Sequence, residues 1–399
     1  MYQSTARLKV LVAGLCSLIV MLGLARFSYT PMLPVMQQQA GLGTVDAGWL
    51  AAVNYVGYLG GAIIASLVSD LRVKDSLYRA GLIVAVLTTL MMGMSDDLWV
   101  WLVSRFFAGL SSAAGLLIGS GLVMHWLIHN GFRSELGIHF GGVGLGIATC
   151  AVLVELTLPQ LNWSEQWYLM TVVAVLLVIP AWGWLPKPKR VTGASSNPAL
   201  QDKPPSRAFL SVLMAAYFCA GVGYVVSATF IVAIFEELPA MAGKGSWSFM
   251  VMGLAAAPAC ILWDFVARRV GDINALISAF VLKIVAILIP VVSVSPLWLM
   301  FSAALFGASF LGIVSLVLSM SGRYFPTRPA KMMGKMTISY GIAQILAPAL
   351  TGILAEQTGS YSAGLYLAAA VMMVGVGLMW VLRALEISAS EKAAGLVVK

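Results

Sequence analysis

Twelve long apolar runs follow one another along the chain and leave little sequence for anything else. They cover roughly residues 10–36, 46–69, 77–94, 98–126, 136–158, 167–185, 209–235, 246–267, 274–292, 297–320, 334–355 and 362–382. About 20 apolar residues are enough for one helix to cross a bilayer. Pro, Gly, Asp or Asn clusters separate the runs, and Trp49, Trp99, Trp163, Trp167, Trp184, Trp247 and Trp298 lie near their expected ends. Of 399 residues 60% are hydrophobic and 10% charged, where a soluble protein has about 25% charged. That excludes a soluble enzyme, a secreted disulfide scaffold and a disordered chain. The sequence is read as an all-α membrane protein with twelve transmembrane helices and the lipid bilayer as part of its solvent. The first run follows Arg7 and Lys9, as a signal sequence would, but it exceeds the usual 7–15 residues and is read as a retained helix. Cys16, Cys150, Cys219 and Cys260 sit in different runs with no CxxC spacing, so they read as buried free thiols.

Lys and Arg set the orientation. Twenty of the 24 fall on the side of the N-terminus: in the two terminal tails, after helices 2, 4, 8 and 10, and in the stretch 186–207. The opposite side holds one, Lys244, and three lie within helices, Arg26, Arg105 and Lys283. The positive-inside rule then places both termini in the cytoplasm, and the chain is expected in the cell inner membrane as a multi-pass protein. The net charge of +8 is a topology signal, and no nucleic-acid partner is needed to explain it.

Residues 186–207 form the one long polar segment, with five prolines, and read as a linker. The expected organisation is a six-helix bundle over 1–185, a cytoplasmic linker over 186–207, and a second six-helix bundle with a short tail over 208–399. The halves echo each other at an offset of 198: Gly23 with Gly221, Trp49 with Trp247, Gly109 with Gly307. Near offset 197, Gly137 and Gly144 match Gly334 and Gly341. Two parallel repeats joined by a linker imply a transporter with its site at the repeat interface.

The layout resembles the major facilitator superfamily over essentially the whole chain. That family carries a Gly-x-x-x-Asp-basic-x-Gly-basic motif after helix 2. Here Asp70, Arg72 and Lys74 keep the acid and both bases, while Ser66 and Val73 replace the glycines. The second copy, from Asp264 to Gly271, keeps the later glycine with Arg268 and Arg269 but has no Asp at the place equivalent to Asp70. Arg105 followed by Phe106, Phe107, Ala108 and Gly109 matches the helix-4 pattern. Helix 5 has Gly137, Gly141, Gly142, Gly144 and Gly146 but lacks the Gly-Pro of the antiporter pattern. Gly23 to Pro34, with Arg26, Tyr29 and Pro31, is similar to the YbfB/YjiJ-like branch. The resemblance implies two pseudo-symmetric bundles, alternating access and proton coupling, with helices 1 and 4 lining the N-terminal half of the cavity.

An ionisable group in hydrocarbon is costly unless paired or hydrated. Arg26 and Arg105 both lie on the order of 10–14 Å below the outer surface, and either binds a substrate anion or pins a neighbouring helix through backbone carbonyls. Glu155 has a depth similar to that of Arg105, so an Arg105–Glu155 charge pair is expected as one alternative, a headgroup-level carboxylate as the other. Lys283 lies on helix 9, which the resemblance puts at the periphery, so it is expected to snorkel or to form a structural pair. The remaining candidate substrate-binding residues share helical faces: Arg26 with Thr30, Asn54 with Tyr58, Tyr217 with Gly221 and Tyr224, Tyr340 with Gln344. Interhelical hydrogen bonds explain most of these residues better, and Tyr224 and Gln344 are the leading candidates of the C-terminal half. Asp70, Arg72, Lys74, Arg268 and Arg269 are expected to form a cytoplasmic gate.

His125 and His129 share a face without a third ligand, so no metal is assigned. HExxH, Walker A and usable GxSxG motifs are absent, and no cofactor is expected. The sequence therefore points to a secondary transporter, not an enzyme, expected as a monomer. It moves a small organic molecule, and the two buried arginines suggest an anion. The alternative is a drug or metabolite efflux antiporter for amphipathic compounds, suggested by the aromatic- and Met-rich helices.

Overall fold

In the computed structural model, residues 2–132, 136–188, 204–325 and 329–397 are described, and they are helical almost throughout. Among the described residues eleven helices are long and apolar enough to cross a membrane, and twelve if one bent pair is counted as a single span. The first six are α1 (Thr5–Gln39), α2 (Thr44–Leu67), α3 (Leu71–Met94), α4 (Leu98–Leu127), α5 (Ile138–Thr157) and α6 (Trp163–Gly183). The second six are α7 (Arg207–Glu236), α8 (Gly245–Ala256 with Ala259–Val270), α9 (Asp272–Val292), α10 (Pro296–Ser321), α11 (Met332–Thr358) and α12 (Ser362–Ser388). Much of the expected linker, 189–203, lies outside the described residues.

The helix starts are chemically marked. Asp70 accepts from the Arg72 and Val73 amides to cap α3, and Asp97 does the same for α4 with Trp99 and Val100. Asn162 and Glu165 form a capping box on α6. The bend of 48° in α8 falls at Ala257 and Pro258, because proline has no N–H to continue the hydrogen-bond ladder. Leu67, Ile179, Val292 and Leu297 are among many large apolar side chains left exposed, as a hydrocarbon-facing surface requires. Trp99 and Trp298 lie exposed at helix starts, whereas Trp167 is fully buried under Gly93.

The 198-residue echo is a packing repeat. A Cβ on Gly109 would strike the Asn54 carbonyl, and one on Gly307 would strike the Met252 carbonyl. These are the same two positions one repeat apart, so α4 presses on α2 as α10 presses on α8. Gly144 packs on Ala257, and Gly341 packs on Leu59, which again are equivalent pairs across the two bundles. Close backbone approach at small residues is how helices associate where lipid is as apolar as their side chains.

The termini share one side of the fold, and the opposite ends of the helices form its far side. The bundles meet through Gly144 and Gly341, and in the far-side half through contacts that include the following. The Thr30 hydroxyl donates to the Ala228 carbonyl at 2.8 Å. Gln37 donates to the Tyr361 hydroxyl at 3.2 Å. Gly48 lies against the Pro348 carbonyl and Gly352. Thr30 and Ala228 are themselves 198 residues apart, so α1 and α7 cross at pseudo-symmetric positions.

Candidate functional site

The site starts with a break in α1. Ile19–Phe27 winds as a π-helix, and the Ser28 amide reaches back to the Gly23 carbonyl at 2.9 Å. Pro31 follows, and it has no N–H to offer the carbonyls one turn back, at Arg26 and Phe27. Arg105, on α4, supplies donors instead: its Nη1 donates to the Arg26 carbonyl at 3.1 Å and to the Ala25 carbonyl at 3.3 Å. The Arg105 guanidinium also lies 4.6 Å from the centre of the Tyr29 ring. Tyr29 in turn donates to the Ala47 carbonyl of α2 at 2.9 Å. Asn54 of α2 donates to the Arg105 carbonyl at 2.8 Å, at the crossing that Gly109 makes possible.

Arg26 is held differently. Its guanidinium lies 4.5 Å from the ring centres of both Tyr55 and Tyr58, and 5.4 Å from that of Phe27. These are cation–π distances, and the electron-rich faces replace part of the lost hydration. Arg26 is 5% exposed and Arg105 3%. Arg26 Nε, Arg105 Nε and Asn54 Oδ1 are buried without hydrogen-bond partners. Both arginines, Thr30, Asn54, Tyr55 and Thr229 line a cavity of about 10 Å³, the room of a single water.

The second bundle brings rings to this cluster. Tyr224 occupies the position on α7 that Arg26 occupies on α1, one repeat later, and lies within electrostatic reach of it. The Tyr224 ring centre is 5.8 Å from Tyr340 and 5.2 Å from Phe310, and Tyr340 is 4.5 Å from Tyr217. The Tyr340 hydroxyl and the Gln344 carbonyl oxygen, one turn apart on α11, are buried without partners. The repeat is thus symmetric in backbone and asymmetric in chemistry: where the first bundle has Arg26, the second has the Tyr224 phenol.

The structure therefore brings together Arg26, Thr30, Asn54, Tyr58, Arg105, Tyr224 and Tyr340, and sets Gln344 next to them. Tyr55 is not among the candidates read from the sequence, and Tyr29 enters there only through the helix-1 resemblance and not as a binding residue. Two expectations need correction. Arg105 and Glu155 do not form an ion pair, because Arg105 is turned to the α1 carbonyls while Glu155 is directed at Ser246 and Trp247 at the start of α8. Lys283 does not snorkel: it is 0% exposed, and its Nζ lies among the α7 and α10 rings with no hydrogen-bond partner.

On the terminal side Asp70 caps α3, Arg268 pairs with Asp264 at 2.6 Å, and Arg269 lies over Phe265. His125 and His129 stack with ring centres 6.0 Å apart. His139 bonds Ser120 at 2.9 Å inside the first bundle.

Residues 18–380 match a family described as uncharacterised MFS-type transporter YbfB. A Bacillus subtilis (strain 168) protein, the uncharacterized MFS-type transporter YceJ, is 21% identical over 288 residues, covering 67% of this chain and 69% of that one. The crystal structure of the nucleoside transporter NupG superposes with a TM-score of 0.72 at 14% identity, covering 95% of this chain and 98% of that one. The crystal structure of a point mutant of the same transporter gives 0.75 at 13% identity, covering 95% and 99%.

Proposed function

We propose, from the premise that the chain belongs to the YbfB-type family of major facilitator transporters, that it moves a small organic anion by alternating access. Membership of the family makes it a multi-pass membrane transporter of a small molecule. The anion, the proton gradient as energy source, the inner membrane and the cytoplasmic placing of the termini are our reading. One observation carries the choice of substrate charge: two guanidinium groups lie buried side by side at the bundle interface with no carboxylate beside them among the described residues. A carboxylate supplies what both lack, since it accepts from a planar fork of donors.

The nearly closed cavity supports alternating access, because no organic anion fits in the space of one water. The bundles must separate to admit one. The contacts on the far side, together with the twenty basic residues of the terminal side, support a state closed to the outside. Gly48→Leu should wedge α2 from α11 and open the far side. A cysteine placed at Ala228 should then react with a membrane-impermeant maleimide roughly tenfold faster than in the parent; unchanged labelling would remove Gly48 from the gate. Asp70, Arg72, Lys74, Arg268 and Arg269 remain our candidates for the cytoplasmic gate, which closes only in the opposite state.

The ring series of Tyr217, Tyr340, Tyr224 and Phe310 favours a second reading, efflux of amphipathic compounds. One thermal-shift screen on purified protein separates the two. Benzoate, succinate and lactate should raise the melting temperature, while uridine and ethidium should not. A shift with ethidium alone would reverse the assignment.

A further inference from the structure

We infer that Lys283 is the proton-carrying coupling group of the transport cycle, charged when an anion occupies the arginine site and neutral when the site is empty. This rests on the anion reading above. Lys283 is fully buried, its Nζ has no hydrogen-bond partner, and it lies 5.8 Å from the Tyr224 ring centre and 5.5 Å from that of Phe306. Tyr224 is also the phenol of the second bundle that reaches Arg26. One ring therefore separates the lysine from the proposed anion site.

The other groups of the interior are poorly suited to the task. Arginine stays protonated at any physiological pH, and an ordinary phenol loses its proton near pH 10. The described acids cluster toward the helix ends, at Asp46, Asp70, Asp75, Asp97, Glu155, Asp264 and Asp272 among others. His139 is bonded to Ser120 within the first bundle, against Gly14, away from the bundle interface. A buried lysine, by contrast, changes protonation readily with its surroundings.

The elements packed on α9 present few other charges to Lys283. From α7 comes the Tyr224 phenol, from α10 the uncharged Phe306 ring. Cys219 of α7 lies about one turn away, against Phe280 and Gly375. Asp272, paired with Arg323 just past α10, lies 11 residues down α9, about 16 Å along the axis. Asp264, Arg268 and Arg269 of α8, and Arg383 and Glu386 of α12, lie toward the same terminal side.

The energetics then run in one direction. With the site empty, an ammonium at Lys283 would be a fully buried cation with no acceptor to bond. A docked anion, one ring away across Tyr224, attracts the ammonium and so favours it. By linkage a proton strengthens anion binding by the same factor. A monoanion and one proton then cross together without net charge, and both leave when the site opens to the other side.

The test uses the full-length protein and three anions, benzoate, succinate and lactate. Calorimetric titration in two buffers of different ionisation enthalpy gives the protons taken up per anion bound. Wild type should take up close to one proton, and wherever it does its affinity should fall about tenfold per pH unit. Lys283→Met, an apolar chain of similar length, and Lys283→Arg, a fixed charge, should bind with no proton uptake and little pH dependence. In proteoliposomes uptake of the monoanions benzoate and lactate should be electroneutral for wild type and carry current for Lys283→Met. Equal proton uptake in wild type and Lys283→Met, or none in wild type, overturns the role of Lys283 alone. So does a Lys283→Met protein that melts like wild type but binds none of the three anions, since Lys283 would then be a direct ligand. Failure of all three anions to bind wild type overturns the anion reading itself, and the coupling role with it.

Discussion

Arg26→Ala should lose anion binding by about 100-fold, roughly 3 kcal/mol, while its melting temperature stays within about 3 °C of wild type. The two halves of this expectation come from different contacts. The guanidinium is held by the faces of Tyr55 and Tyr58 and leaves Nε without an acceptor, so removing it also removes an uncompensated buried cation. The cation–π attraction lost, about 1–2 kcal/mol for each ring, is offset by the desolvation regained. Arg26→Lys should fold as well but transport poorly, because an ammonium does not reproduce the planar fork. Arg105→Ala should lose stability as well. Its Nη1 satisfies the Ala25 and Arg26 carbonyls at the π-helical break, and losing it should cost about 3 kcal/mol and lower the melting temperature by about 5 °C. Melting curves and anion affinities measured on the same preparations decide the matter. If Arg26→Ala melts as low as Arg105→Ala, or keeps wild-type affinity, Arg26 is a clamp and the anionic substrate loses its main support.

Gly109→Val should prevent accumulation of folded protein, at a cost of about 4 kcal/mol or more. A Cβ at this position overlaps the Asn54 carbonyl and crowds the Tyr58 amide, which are backbone atoms that no rotamer change can move aside. α2 and α4 would have to separate, breaking the Asn54–Arg105 hydrogen bond and withdrawing Arg105 from α1. Gly307→Val should be comparably severe, since a Cβ there meets the Met252 carbonyl in the equivalent place. Gly121→Ala is the control, because nothing lies within 4 Å of a Cβ there. The yield of monodisperse protein on size exclusion, followed by a thermal melt, reads the effect. A Gly109→Val protein that purifies and melts within about 2 °C of wild type would show that the α2–α4 crossing tolerates separation.

The amino-acid sequence by itself determined the membrane fold, the number of spans and the two-fold repeat. The reason is that hydrocarbon acts on each helix separately: a run of about 20 apolar residues is a span whatever it packs against. The 198-residue echo was visible in Gly109 and Gly307 because close helix contact demands the smallest residue at each crossing. Arg26, Asn54, Tyr58, Arg105 and Tyr224 were also legible, since polar side chains in apolar runs stand out by cost alone. Their partners were not. Whether Arg105 meets Glu155 or the α1 carbonyls depends on the rotation of α4 and on the π-helical break above Pro31, and no spacing records either. That Arg26 and Tyr224 face each other follows from the axis relating the two bundles. Tyr55 was hidden for a related reason: the face of a helix opposite a neighbour is fixed by how the bundles assemble. Lys283 shows the difference most plainly. Its position on α9 allowed a snorkelling side chain, and only the packing of α9 against α7 and α10 turned its Nζ inward, beside Tyr224 and Phe306.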